Sequence, residues 1–350
     1  MNSYGNMLKL SLFGESHGPA VGCTVDGLPD GFAPDFDEIG MELSRRAPNV
    51  SAGSTARNEK DSYKIISGFY NHRTTGAPFT VVFANTDANS ADYSDHFARP
   101  SHADLTAYVK YGGHNDSRGG GAFSGRMTVP IVFVGALIKQ LLAEKGIRIV
   151  SHIYSIGNIS DTPFDPVSGE VPQLDPFFPL VDPEKREAIE ALFASLRNEG
   201  DSIGGMVECA VYGLPLGIGE PFFASVESEI SGLLFSVPGV HGVEFGAGFA
   251  FSGMTGSEAN DPIICCGKTA TNHSGGVNGG ITNGMPLIFR AAFRPVPSIA
   301  KEQTSIDYVT GECMKKAISG RHDVCILPRG CAVIEAAAAI ALYDLILQAR

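Results

Sequence analysis

The longest apolar run, Met127 to Ile138, lies in a segment reaching about Lys145 that reads as a buried helix despite Pro130. A helix apolar on every side has to be enclosed, so a compact globular protein is expected around it. The run is too short to span a bilayer, which argues against a membrane partner. With 350 residues, 43% of them hydrophobic, the chain can bury a large core as one domain or two. Glycine (42) and proline (21) are frequent enough to imply many tight turns, and no linker or low-complexity tract divides the chain.

Around that segment, Leu8 to Phe13 and Val21 to Val25 read as strands, followed by a turn at LPDG and an amphipathic helix from about Asp35 to Arg46. Further strands fit Tyr63 to Ile66 and Phe79 to Phe83. Ser101, a good N-cap residue, predicts a helix running to about Tyr111. In the second half, helices fit Pro183 to Asn198, Ser225 to Phe235 and about Ala332 to Gln348, and β-like runs fit Met206 to Val211, Val240 to Phe245 and Leu287 to Phe293. TTGAPFTVVF and TNGMPLIFRA share a turn, proline and strand pattern, a weak sign of internal duplication.

The net charge of −12 argues against a nucleic-acid partner, although a local arginine cluster could still hold a small anion. Seven cysteines without a CxxC pair fit neither a disulfide framework nor a zinc site. The start, MNSYGNMLKLSLFGESHG, lacks the features of a signal peptide, so a cytoplasmic location is expected.

GESHG matches G-x-S-x-G, the nucleophile elbow of serine hydrolases, with Ser16 as nucleophile. An elbow needs a strand, a sharp turn and a helix, whereas Pro19 and the β-like AVGCTV follow here. His17 then stands among small residues, where a lone histidine is most often a satisfied turn residue. RPSHAD places His102 near Arg99 at an expected helix start, a setting that favours an anion. Arg45, Arg46 and Arg57 cluster around an irregular loop, and Arg118 and Arg126 bracket Gly119 to Gly121. Arginine forks suit carboxylates and phosphates, though most surface arginines are merely solvated. The triple glycine could set backbone N–H groups against a phosphate, but it is not a Walker A loop. Arg321, His322 and Asp323 form the last polar cluster before the final helix.

Seven blocks in order resemble the signature regions of chorismate synthases: GESHGPAVGCTVDGLPDG, SGFYNHRTTGAPFTVVFANTDANSADY, RPSHADLTAYVKYG, SRGGGAFSGRMT, TNHSGGVNGGITNGMP, FRPVPSI and GRHDVCILPRGCAVIEAAAAIAL. The resemblance runs from about Tyr4 to the C-terminal helix. It implies a single domain over residues 1–350 and an α+β fold, a β-α-β sandwich with antiparallel sheets around a helical layer. It also implies a homotetramer. The implied reaction is an anti 1,4-elimination of phosphate from 5-enolpyruvylshikimate 3-phosphate to chorismate, requiring reduced FMN (FMNH2) without net redox change. Reducing equivalents are expected from NADPH through a separate reductase.

By the same resemblance His17 acts near the leaving phosphate, His102 near flavin N1, and Asp323 handles the proton at flavin N5. Arg46 and Arg57 are assigned to the substrate anions, with Arg45, Arg99, Arg118 and Arg126 as helpers. The flavin positions fall on Ala122, Phe123, Ser124, Pro238, Gly239 and Gly279. They continue at Arg294, Pro295, Val296, Pro297, Ser298 and Arg321. No metal site is expected. The chain departs from the usual pattern at Ala52 and Asn49, and AFSGRMT lacks a glutamate. Ser101, Arg294 and Val324 replace a glycine, a lysine and a proline. The alternative is a flavin-binding homologue that has lost turnover.

Overall fold

A computed structural model describes residues 2–48, 61–85, 96–264, 267–318 and 323–349. Two five-stranded antiparallel sheets enclose a layer of helices, the expected α+β sandwich. The first sheet contains β1 (Ser3–Tyr4), β2 (Lys9–Gly14), β3 (Ala20–Asp26), β4 (Tyr63–Ser67) and β5 (Phe79–Ala84), in the order β1-β2-β3-β5-β4. The second contains β6 (Arg148–Ile156), β7 (Ile159–Ser160), β8 (Gly205–Tyr212), β9 (Val240–Phe245) and β10 (Leu287–Phe293), in the order β9-β10-β8-β6-β7. Alternation decides which face is buried: β5 turns Phe79, Val81 and Phe83 inward and leaves Thr80 and Val82 less enclosed.

The helices are α1 (Phe36–Arg46), α2 (Asp104–Lys110), α3 (Thr128–Glu144), α4 (Lys185–Glu199), α5 (Val226–Leu234) and α6 (Leu327–Gln348). The weak duplication signal has a structural counterpart. Its two copies form β5 and β10, which occupy the same place in sheets ordered β4-β5-β3-β2 and β9-β10-β8-β6. In each half a helix, α1 or α5, follows the central strand β3 or β8, and a long buried helix, α3 or α6, closes the half.

Helix α6 packs on α3, α5 and α1 and touches β6 and β8, while α3 lies against β3 and β5. Gly125–Glu144, which includes α3, and α6 are each long and apolar enough to cross a membrane, unlike the shorter run read from the sequence. Yet 78% and 89% of their apolar windows are buried inside the fold, as expected of core helices. They approach so closely that a Cβ on Gly135 would overlap Ala336. Pro130 causes no break because it sits in the first turn of α3, where its missing N–H has no intrahelical acceptor to lose.

A buried ion network crosses this layer. Glu335, 2% exposed on α6, accepts from Arg45 at 2.7 and 2.8 Å, from Lys139 Nζ at 2.6 Å, and from the N–H and Oγ of Ser151 at 3.0 and 2.8 Å. Glu42 completes it, 2.9 Å from Arg45 and 3.1 Å from Lys139. Burial alone would raise the Glu335 carboxyl, but Arg45 and Lys139 hold it well below the usual range. Arg45, expected among the substrate arginines, thus joins α1 to α6 through Glu335, which also holds Ser151 of β6, and it is not among the residues lining the main cavity.

Other differences have local causes. The helix predicted from Ser101 begins at Asp104; Ser101 has φ +59° and caps nothing. The last helix begins at Leu327, five residues earlier than expected, because Pro328 falls in its first turn. Strand β6 was not predicted, since burial on both faces hides its alternation. A further hairpin also lacks a sequence prediction, β11 (Glu302–Ile306) with β12 (Cys313–Ala317).

Candidate active site

GESHG bridges the antiparallel strands β2 and β3, with no helix after it, so no nucleophile elbow is present. Ser16 Oγ lies 3.2 Å from the carbonyl oxygens of Arg118 and Gly119 and 3.1 Å from His17 Nδ1. That hydroxyl ties the turn to the glycine loop.

The loop has one conformation that only glycine tolerates in series: φ is +59°, +85° and +52° at Gly119, Gly120 and Gly121. Its surfaces face the two histidines. A Cβ on Gly119 would overlap the His17 ring, and one on Gly120 would come within 3.2 Å of His102. Gly119→Ala is expected to displace His17 and lower turnover about 10²-fold, the scale of a misplaced catalytic group. Steady-state kinetics check this, and wild-type turnover would mean that His17 needs no such contact.

His102 Nδ1 lies 2.7 Å from Asp104 Oδ1. The same carboxylate accepts from the Arg99 backbone N–H at 3.0 Å, Nε at 2.8 Å and NH2 at 2.7 Å. Burial would raise the Asp104 carboxyl, but Arg99 and His102 hold it well below the usual range. The carboxylate accepts only and favours a proton on Nδ1, while Arg99 NH2, 3.0 Å from the same nitrogen, donates only and opposes it.

A cavity open to solvent gathers most of the predicted residues. His102, Asp323, Arg46 and Arg99 line it. So do Phe123, Ser124, Pro238 and Gly239, together with the stretch from Arg294 to Ser298. Val237, Phe293 and Ile326 add apolar wall. Arg329 also lines it and pairs with Asp323. It lies in the quoted block LPRG, but sequence reasoning gave it no role.

Charge concentrates here against the negative whole. Arg46 is 5% exposed and bonded to Asp61 at 2.8 Å, and Asp61 also takes Arg126 at 2.5 Å. Burial lowers the Arg46 pKa, Asp61 opposes this, and Arg329 and Arg126 lower it further. Arg294 is likewise lowered by burial and by Arg99. Guanidinium groups crowded to this degree are relieved by an anion. The arrangement can hold a molecule with several negative charges beside the His102 imidazole and the Asp323 carboxylate; His17, packed against Gly119, is buried and is not among the residues lining the cavity.

Several expected residues lie elsewhere. Ala122 lines a neighbouring cavity that shares Pro238. Gly279 sits in the hairpin of Val277–Asn278 and Ile281–Thr282, away from the cavity lining. Arg118 turns outward to Asp116 at 2.8 Å. Arg126 stands behind Arg46, with Nε bonded to Asn85 at 3.1 Å. Arg57 and Arg321, with Ala52, Asn49 and His322, fall outside the described residues.

The sandwich and its basic, glycine-walled cavity define an enzyme for small polyanions. Residues 8–347 match the chorismate synthase family model. Chorismate synthase of Chitinophaga pinensis is 44% identical over 350 residues, covering 99% of this chain and 97% of that protein. That of Thermococcus kodakarensis is 42% identical over 353 residues, covering 99% and 98%. A solved structure described as a crystal structure of chorismate synthase superposes with a TM-score of 0.76 at 28% identity, covering 99% of this chain and 93% of the other. The chain belongs to the chorismate synthase family. Its function is that of the family, a carbon–oxygen lyase acting on phosphates (EC 4.2.3.5) in aromatic amino-acid biosynthesis.

Proposed function

We propose that chorismate is made in this cavity by anti 1,4-elimination of phosphate from 5-enolpyruvylshikimate 3-phosphate, with reduced FMN bound beside the substrate. The observation that carries the proposal is convergence: Arg46, Arg99, Arg294 and Arg329 meet His102 and Asp323 around one space. A substrate with two carboxylates and a phosphate needs that many cations. Arg46 and Arg329 hold its anions, and Arg126 keeps Arg46 in place through Asp61. His17 attends the leaving phosphate, His102 exchanges a proton, and Asp323 beside Arg329 carries the other proton.

The walls fit a flat phosphorylated group. Val237, Phe293, Val296 and Ile326 offer an apolar slot, and Arg294 and Ser298 offer cationic and hydroxyl donors. A Cβ on Gly239 would come 3.1 Å from Ile326, so glycine keeps that wall open. When bound, reduced FMN supplies transient electron density that helps phosphate depart. Hydrogen bonds to a charged group are worth about 1.5–3 kcal/mol each. Joint replacement Arg294→Ala and Ser298→Ala is therefore expected to weaken FMN binding at least about 10-fold by fluorescence titration. Unchanged affinity would remove these residues from the flavin site.

The reducing equivalents come from NADPH through a separate reductase in the cytoplasm, and the chain acts as one domain in a homotetramer. Free thiols at the described cysteines support a reducing compartment. Support for assembly comes from bare apolar side chains: Phe222 and Phe223 are 84% and 93% exposed, their rings 6.3 Å apart. Phe222→Asp with Phe223→Asp is expected to shift sedimentation from four chains to a smaller species. A tetramer that persists would move the contact elsewhere.

A further inference from the structure

The turn bearing His17 is held by one side chain to which neither motif nor family assignment gave a role. Asn85 directly follows β5. Its Nδ2 donates to the carbonyl oxygens of Glu15 at 2.9 Å and Gly18 at 2.8 Å, which flank Ser16 and His17. Its backbone N–H donates to the Pro19 carbonyl at 3.2 Å. Its Oδ1 accepts from Arg126 Nε at 3.1 Å. Turning the amide over would set donor against donor at Arg126 and acceptor against acceptor at both carbonyls, so the network fixes its orientation.

Arg126 is itself immobilised. Its NH1 donates to Asp61 at 2.5 Å and its NH2 to the Ala84 carbonyl at 3.2 Å, while Asp61 takes Arg46 at 2.8 Å. An unbroken path of hydrogen bonds thus runs from a cavity arginine, through Asp61, Arg126 and Asn85, to the turn that carries His17. Asn85 does not line the cavity, so it acts at a distance, through that turn on one side and through Arg126 on the other.

We infer that Asn85 is a positioning residue for His17, fixing the imidazole against Gly119 through the Glu15 and Gly18 carbonyls. The inference rests on the catalytic role proposed for His17. Asn85→Ala is expected to lower kcat about 10²-fold, with KM and FMN affinity changed by less than about threefold. Asn85→Asp is nearly isosteric and keeps a partner for Arg126, but an ionised carboxylate cannot donate to the two carbonyls. It is expected to fold with wild-type Tm and show the same loss at neutral pH.

The deciding measurement adds Asn85→Ala to His17→Ala. If Asn85 acts through His17, the double variant is no slower than His17→Ala alone. Multiplied losses, or wild-type kcat in both Asn85 variants, overturn the inference. Wild-type turnover in His17→Ala alone would show that the histidine assignment had failed and would take the inference with it.

Discussion

Replacing His102 by alanine is expected to lower turnover by about 10²–10⁴-fold, the span of a lost acid-base group. FMN affinity should change little, because Arg294 and Ser298 remain. The size follows from how firmly the ring is held. Asp104, 8% exposed, takes Nδ1 at 2.7 Å and is itself locked by three bonds from Arg99. The imidazole is therefore held in one place before substrate arrives. Stopped-flow chorismate formation at saturating reduced FMN measures the loss, and wild-type kcat would remove His102 from the chemistry. The Asp104 carboxyl is depressed in the folded state, so its contribution to stability is present above its unfolded pKa. That contribution is lost as pH falls through the folded value.

Glu335→Ala is expected to cost about 3–5 kcal/mol, because it leaves Arg45 and Lys139 buried without their shared carboxylate. For a chain of 350 residues that lowers Tm by roughly 4–7 °C. The folded Glu335 pKa is depressed, so the network stabilises the protein fully above the ordinary carboxylate range and fails as pH drops through the folded value. Glu335→Ala should accordingly flatten the acid limb of a Tm-against-pH curve. Joint replacement of Glu335, Arg45, Lys139 and Glu42 by apolar residues of similar volume should recover most of the loss, since none of the four charges is then stranded. An unchanged Tm in Glu335→Ala would mean that water already reaches the cluster.

These two sites mark how far local sequence carries. Strand β10 and the body of α1 were legible because apolar positions recur with the period of the element. Arg45 and Arg46 were not separable. They are neighbours at one helix end, and what divides them is Glu335, which is 290 residues away, and Asp61, 15 residues on. Arg329 escaped notice for the same reason, because its meaning comes from Asp323 and from the nearness of Arg46 in the folded chain. Asp104 stood in plain view in RPSHAD. Ser101 suggested a cap, while the Asp104 carboxylate was already committed to Arg99 and His102. The histidines and the glycine loop were legible through the ordered resemblance; their contact with each other needed the fold.

The elimination is measured without oxygen, by mixing the purified chain with dithionite-reduced FMN and 5-enolpyruvylshikimate 3-phosphate. Chorismate absorbance and phosphate release are followed together. Both products are expected in equal amounts, and neither with oxidised FMN. Bound FMN with no product, or phosphate released without chorismate, would contradict the proposed reaction.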